Sequence, residues 1–149
     1  MPTMSLYGIF FDLTRLEMQL WDRVDMGLRA ATDVPLGRFE ALLVMRRLGP
    51  CRIQDISREL SLTVGGTSKL VDRLESTGLC TRTANPDDRR SSLITLSDQA
   101  LPLLQEGEAV IESTLEVLLG GNIPVAELKL LGKQLHALRI TGEPSTREA

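Results

Sequence analysis

Cysteine and histidine are nearly absent from this 149-residue chain, which holds two of the first, Cys51 and Cys80, and one of the second, His136. Two cysteines are too few for a disulfide framework, and with a single histidine no Cys/His set has metal-ligand spacing. No metal and no other cofactor is expected. The same shortage argues against an enzyme: no Ser/His/Asp set is assembled around one histidine, no glycine-rich phosphate loop follows a strand, and no carboxylate pair falls in an evident cleft. Long apolar runs are missing as well. Stretches such as Ala41 to Met45 are far too short to cross a bilayer, and the N-terminus lacks a basic stretch leading into an apolar core and a small-residue cleavage site. These features predict a cytoplasmic protein with no membrane partner.

What is present has the balance of an ordinary globular protein, with 42% hydrophobic and 25% charged residues. The length suits one compact domain over residues 1–149, so binding and any switching share one body. The net charge of −3 is unevenly spread. From Arg46 to Ser92 there are nine basic residues (Arg46, Arg47, Arg52, Arg58, Lys69, Arg73, Arg82, Arg89, Arg90) against six acidic ones (Asp55, Glu59, Asp72, Glu75, Asp87, Asp88), leaving +3 there and −6 elsewhere. A basic middle between acidic ends suits a protein with one face turned to phosphate.

Apolar residues Leu6, Ile9, Phe10, Leu13, Leu16, Leu20, Trp21, Val24 and Leu28 recur at helical spacing and predict one long amphipathic helix ending near Val34-Pro35. A second helix is expected from about Gly37 to Leu48, stopped by Gly49-Pro50, and a short third carries Ile53, Ile56 and Leu60. After a tight break at Ser61 to Thr63, a fourth runs from Val64 to Thr77, with Thr63 as its N-cap and Gly78 closing it. The pattern then becomes strand-like. Leu79 to Ala84 and Ser91 to Leu96 predict a hairpin whose tip is the charged turn Asn85-Pro86-Asp87-Asp88-Arg89-Arg90. Ser97 is expected to cap a fifth helix running to Gly120-Gly121, bent near Pro102. Pro124 opens a sixth, followed by a frayed tail from Thr141 to Ala149. The fold class is therefore mainly α with a small β-hairpin. The first, fifth and sixth helices carry more Leu, Ile and Val than a small lobe needs. A two-fold homodimer interface would bury that excess and present two copies of a reading helix about 34 Å apart.

This order of elements, together with DRLESTGL at Asp72 to Leu79 and NPDDRRSSLITLS at Asn85 to Ser97, resembles the MarR family of bacterial regulators, most strongly over residues 36–104. The resemblance implies a winged helix-turn-helix lobe at 36–97, with helices at 5–32 and 98–140 forming a dimerisation region. It also implies a homodimeric DNA-binding transcription regulator on a pseudo-palindromic operator, a repressor released by a small-molecule effector. On this reading the fourth helix enters the major groove. Thr63 sets its start, Val64, Gly65, Gly66 and Ser68 face the groove, and Lys69 and Arg73 approach guanine or phosphate. By the same resemblance Arg90 reaches into the minor groove, with Asp88 orienting its guanidinium, while Arg89 meets phosphate.

Gly65-Gly66 departs from the family, whose members commonly place polar base-reading side chains there. Two glycines near a helix start cost up to about 1 kcal/mol each relative to alanine. Close approach of backbone amides to phosphate would compensate, so Gly66→Ala is expected to stabilise the free protein and weaken operator binding. An aromatic or anionic effector, again implied by the family, is expected near the junction of the first two helices, where Arg15, Trp21, Arg38 and Phe39 combine two cations with two aromatic surfaces. Two alternatives stay open. One is a cysteine-based redox-sensing regulator, using Cys51 beside Arg52 at the start of the third helix, with Cys80 expected to be a buried inert thiol. The other is a winged-helix adaptor that binds protein, favoured by the acidic pI of about 5.2 and the glycine pair. Two arginines at an exposed hairpin tip argue against it.

Overall fold

In the computed structural model, which describes residues 5–142, the chain forms helices α1 (Leu6–Thr32), α2 (Leu36–Leu48), α3 (Ile53–Leu60) and α4 (Val64–Ser76). A hairpin of β1 (Cys80–Ala84) and β2 (Ser92–Leu96) follows, then α5 (Ala100–Leu115), a π-helical turn Glu116–Gly120, and α6 (Val125–Gly142). The mainly α class with one β-hairpin is as expected. Most of the expected tail, from residue 143 on, lies outside the described residues. Among the described residues no single helix is long and apolar enough to cross a membrane.

Local chemistry sets most of these boundaries. The Ser5 hydroxyl accepts from the Gly8 amide at 3.0 Å and starts α1, and Asp33, left-handed at φ 58°, ends it by donating its amide to the Arg29 carbonyl. The turn into α2 is held by Asp25, whose carboxylate accepts the Leu36 amide at 2.8 Å. Helix α3 starts with Asp55 accepting from both the Arg52 guanidinium and the Arg52 amide, which holds that carboxyl below its usual range. Gly78, at φ 77°, makes the turn that passes the chain from α4 into β1.

Three expectations change. Ser97 does not cap α5: its hydroxyl donates to the Gly78 carbonyl at 2.6 Å, tying the end of the hairpin to the end of α4. Pro102 falls in the first turn of α5, where its missing amide would have had no intrahelical partner, so no bend is needed to accommodate it. Cys51 does not begin α3. It pairs with Ile94 as an isolated bridge, donating its amide to the Ile94 carbonyl at 3.0 Å and accepting the Ile94 amide at 2.7 Å, which lays the α2–α3 connection along β2.

The core lies where α2 crosses the other elements. Leu28 of α1, Phe39, Leu42 and Met45 of α2, Ile56 of α3, Val71 and Leu74 of α4, Ile94 of β2 and Leu104 of α5 are all almost fully buried. Each such side chain contributes about 1.5–3 kcal/mol relative to exposure. The hairpin is antiparallel, with Cys80 opposite Leu96 and Ala84 opposite Ser92. Helices α1 and α5 pack along each other, and the chain then bends by 110° before α6, whose main packing is on the π-helical turn. Much apolar surface stays uncovered on these terminal helices, including Phe10, Leu13, Leu16 and Trp21 on α1 and Leu130 and Leu138 on α6.

Candidate nucleic-acid interface

Helix α4 is fixed by its inner face. Thr67, Val71 and Leu74 are buried, so the helical period turns Val64, Gly65, Gly66, Lys69 and Arg73 outward, with Ser68 half-buried between the two faces. Val64 is 52% exposed, a large fraction for a β-branched apolar residue. Thr63 is the N-cap as expected: its hydroxyl accepts the Gly66 amide at 3.1 Å, and its carbonyl accepts the Thr67 hydroxyl at 2.9 Å.

That cap changes the reading of the glycine pair. The Gly66 amide is already engaged, and a Cβ added there would sit 3.1 Å from the Thr63 Oγ1, so the expected gain in stability from Gly66→Ala is set against displacing the cap. A Cβ at Gly65 meets nothing within 4 Å. Gly65 is the position at which backbone access can be separated from strain.

Ion pairing divides the basic residues of the middle. Arg46 pairs with Glu108 of α5, Arg47 with Glu59, and Arg52 with Asp55 at 3.2 Å. Arg82 of β1 pairs with Asp72 of α4, lies 3.8 Å from the Glu75 carboxylate, and donates to the Ser68 carbonyl at 3.4 Å. These four are structural. Arg58, Lys69, Arg73, Arg89 and Arg90 have no ion pair among the described residues, and four of those five lie on the outer face of α4 or at the hairpin tip.

The tip owes its shape to side chain to backbone bonds. Asn85, buried, accepts the Asp87 amide at 3.0 Å and donates to the Ser91 hydroxyl at 2.9 Å, while its carbonyl accepts the Asp88 amide. Asp88 does not hold the Arg90 guanidinium as expected. Its carboxylate accepts the Arg90 backbone amide at 3.0 Å, and so fixes the chain rather than the side chain. Arg89 and Arg90 are exposed on this braced turn.

The four expected effector residues are not brought together. Phe39 is wholly buried in the core, Arg15 lies exposed over the Phe11 ring at 5.9 Å, and Trp21 lines an apolar cavity of about 560 Å³. Arg38, at the start of α2, instead borders a concavity with Gly66, Lys69 and Arg73, which extends the basic face of α4. A short separation in sequence could not reveal this, because Arg38 and Lys69 meet only through the packing of α2 on α4. Both thiols are buried. Burial and nearby Asp55 raise the Cys51 thiol, and burial pushes Cys80 up to about 11, the reverse of the exposed, activated thiolate that redox sensing requires.

A helix-turn-helix made by α3 and α4, followed by a hairpin carrying free arginines at its tip, defines a winged helix-turn-helix protein. Residues 34–92 match the MarR family model. An uncharacterized HTH-type transcriptional regulator, YfiV of Bacillus subtilis, is 27% identical over 90 residues, which cover 58% of this chain and 56% of that relative. The chain thus matches about half the length of that protein. Among solved structures, Sco3205 of Streptomyces coelicolor, a MarR family transcriptional regulator in complex with DNA, superposes with a TM-score of 0.82 at 18% identity, covering all of this chain and 96% of that one. CouR of Rhodococcus jostii RHA1, bound to p-coumaroyl-CoA, gives 0.78 at 22% identity, with 98% of this chain and 100% of that one covered. At these identities the likeness establishes the fold.

Proposed function

We propose that the chain is a sequence-specific DNA-binding transcription regulator, acting in the cytoplasm as a homodimeric repressor that a small molecule releases. The observation that carries this reading is the concentration of unpaired cations on the outer face of α4 and the hairpin tip, while every other arginine of the same segment except Arg58 is held in an ion pair. On this reading residues 36–97 are the winged lobe. The N-terminal turns of α4 (Val64, Gly65, Gly66, Ser68 and Lys69, capped by Thr63) enter the major groove, with Arg73 and Arg38 on flanking phosphates. Arg89 meets phosphate, Arg90 takes the minor groove, and Asp88 braces the turn between them. Segments 5–32 and 98–140 form the dimerisation region, which would cover the apolar surface of α1 and α6 and set the spacing of the two reading helices. The DNA-bound Sco3205 and ligand-bound CouR, which share this fold, support the DNA and effector parts of the proposal.

Duplex fragments from the DNA beside the protein's own gene provide the test. Binding followed across a salt series should fall steeply as salt rises, because neutralised phosphates release their counterions, while light scattering of the free protein gives twice the monomer mass. A monomer, or duplex binding no tighter than to unrelated DNA at every salt, would reject the reading and favour the protein-binding adaptor.

Gly65→Ala is expected to separate folding from binding. The open space around the added methyl should let the substitution stabilise the free protein by up to about 1 kcal/mol through helix propensity. Operator affinity should meanwhile fall several-fold, as the methyl stands between the helix start and the DNA backbone. Thermal unfolding and duplex titration on the same preparation check both signs. Unchanged affinity would remove the close-approach role of the glycine pair.

A further inference from the structure

The start of α4 is poor in groups that could hydrogen-bond a base edge. From Leu62 to Gly66 the side chains are a leucine, a threonine, a valine and two glycines. The Thr63 hydroxyl accepts the Gly66 amide and the buried Thr67 hydroxyl donates to the Thr63 carbonyl, so both threonines are engaged within the helix start. Ser68 and Lys69, a full turn further on, are the next polar side chains. What stands in solvent at the helix start is aliphatic. Leu62 is 45% exposed and Val64 52%, and neither belongs to the core or to the apolar side chains packed against it. The turn that presents them is fixed. Ser61 is left-handed at φ 53°, the Leu62 amide donates to the Ser57 carbonyl at 3.0 Å, and the Ser57 hydroxyl donates to the Leu62 carbonyl at 2.6 Å.

We infer that Val64 is a specificity-determining residue, which reads the C5-methyl group of thymine in the major groove. The inference rests on the DNA-binding reading above and names what the helix start selects. Among the major-groove features of the base pairs, the hydrogen-bonding groups call for polar partners, and the thymine methyl is the one matched by an aliphatic side chain. Val64 set against a guanine O6 or a cytosine amino group would strip water from it and return no hydrogen bond. The contact that accepts thymine therefore disfavours a G·C pair at the same place. Gly65, with open space around its Cα, adds no side chain that would hold Val64 off the base.

The test takes the duplex bound most tightly in the salt series above and the same duplex made with deoxyuridine for thymidine, which keeps every hydrogen-bonding group and removes only the methyls. The protein should bind the thymine duplex about tenfold more tightly, from about fourfold for each methyl covered in two half-sites. Val64→Ala should bind the thymine duplex about tenfold more weakly and the uracil duplex within about threefold of the unsubstituted protein. The variant should keep its fold, because Val64 is exposed and alanine favours the helix. Loss of the methyls also alters the groove shape that the hairpin tip would read, so the deciding quantity is the coupling between the two changes, which shape alone does not produce. The same thymine-to-uracil ratio with and without Val64, or a ratio near one in the unsubstituted protein, would overturn the inference and leave the regulator reading standing. Binding of no fragment more tightly than unrelated DNA would instead reject that reading, and the inference with it.

Discussion

Replacing Gly107 with alanine should lower the free energy of unfolding by about 3 kcal/mol, the largest loss expected from adding one methyl group anywhere in this fold. Gly107 is buried on α5 against the ring of Phe39, and a Cβ built there would lie 2.1 Å from the ring's Cε2, 2.5 Å from its Cζ and 3.0 Å from the Leu28 Cδ2. Neither neighbour has free space. Phe39 and Leu28 are wholly buried, so the ring cannot swing into solvent and relief must come from moving α5 away from α2. The site joins α1, α2 and α5, so the displacement would also loosen the seat of the winged lobe on the terminal helices. Urea unfolding measures the change. Gly132→Ala on α6 is the matched control, because nothing lies within 4 Å of a Cβ there, and helix propensity alone should give a small gain. A loss below 0.5 kcal/mol at Gly107, on the order of an ordinary surface change, would mean that α5 is not held against Phe39 in solution.

Arg90→Ala is expected to lower operator affinity by about 10- to 100-fold without altering stability. The stability side follows from the structure: the Arg90 side chain is exposed and has no ion pair among the described residues, and only its backbone amide takes part in bracing the turn, a bond that alanine retains. The affinity side follows from the proposed docking. A groove contact by arginine is worth about 1–3 kcal/mol, which converts to that range of affinity. The preference for narrow A·T-rich flanks should weaken with it, since groove width and potential are what a minor-groove arginine reads. Duplex titration at fixed salt, with A·T-rich and G·C-rich flanks, separates these effects. A change of less than threefold on both duplexes would place the tip away from the DNA.

The helices and the hairpin were legible because each carries its own period and punctuation: apolar spacing along α1, Thr63 before α4, and Gly78 in the turn to β1. What depends on contact between distant segments was not. The Cys51 to Ile94 bridge spans 43 residues and leaves no local pattern that would separate Cys51 from the helix beside it. Ser97 has the right residue type and position for a cap, but its hydroxyl is drawn to the Gly78 carbonyl, 19 residues earlier. Charge was legible as a sum and not as a set of partners. The sum over Arg46 to Ser92 counts Arg46 equally with Arg90, though Glu108, 62 residues downstream, pairs with the first and, among the described residues, no acidic side chain pairs with the second. The expected effector residues failed to converge for a related reason. Helical periodicity says that Trp21 and Phe39 lie on apolar faces, but only packing decides that one borders a cavity and the other fills the core.

Arg82 has a mechanical consequence. It holds Asp72 and the Ser68 carbonyl from the first strand of the hairpin, with the Glu75 carboxylate 3.8 Å from its Nε, and so acts as a strut between the two parts of the lobe that would touch DNA. A lobe braced in this way translates and rotates as one piece. Under the proposed docking, the distance from the outer face of α4 to the arginines of the tip would be a calliper set within the lobe before any DNA arrives. In the proposed dimer, adjustment to an operator would then fall to the angle between subunits, and an operator whose grooves do not match the calliper would be refused by geometry rather than by any base it displays.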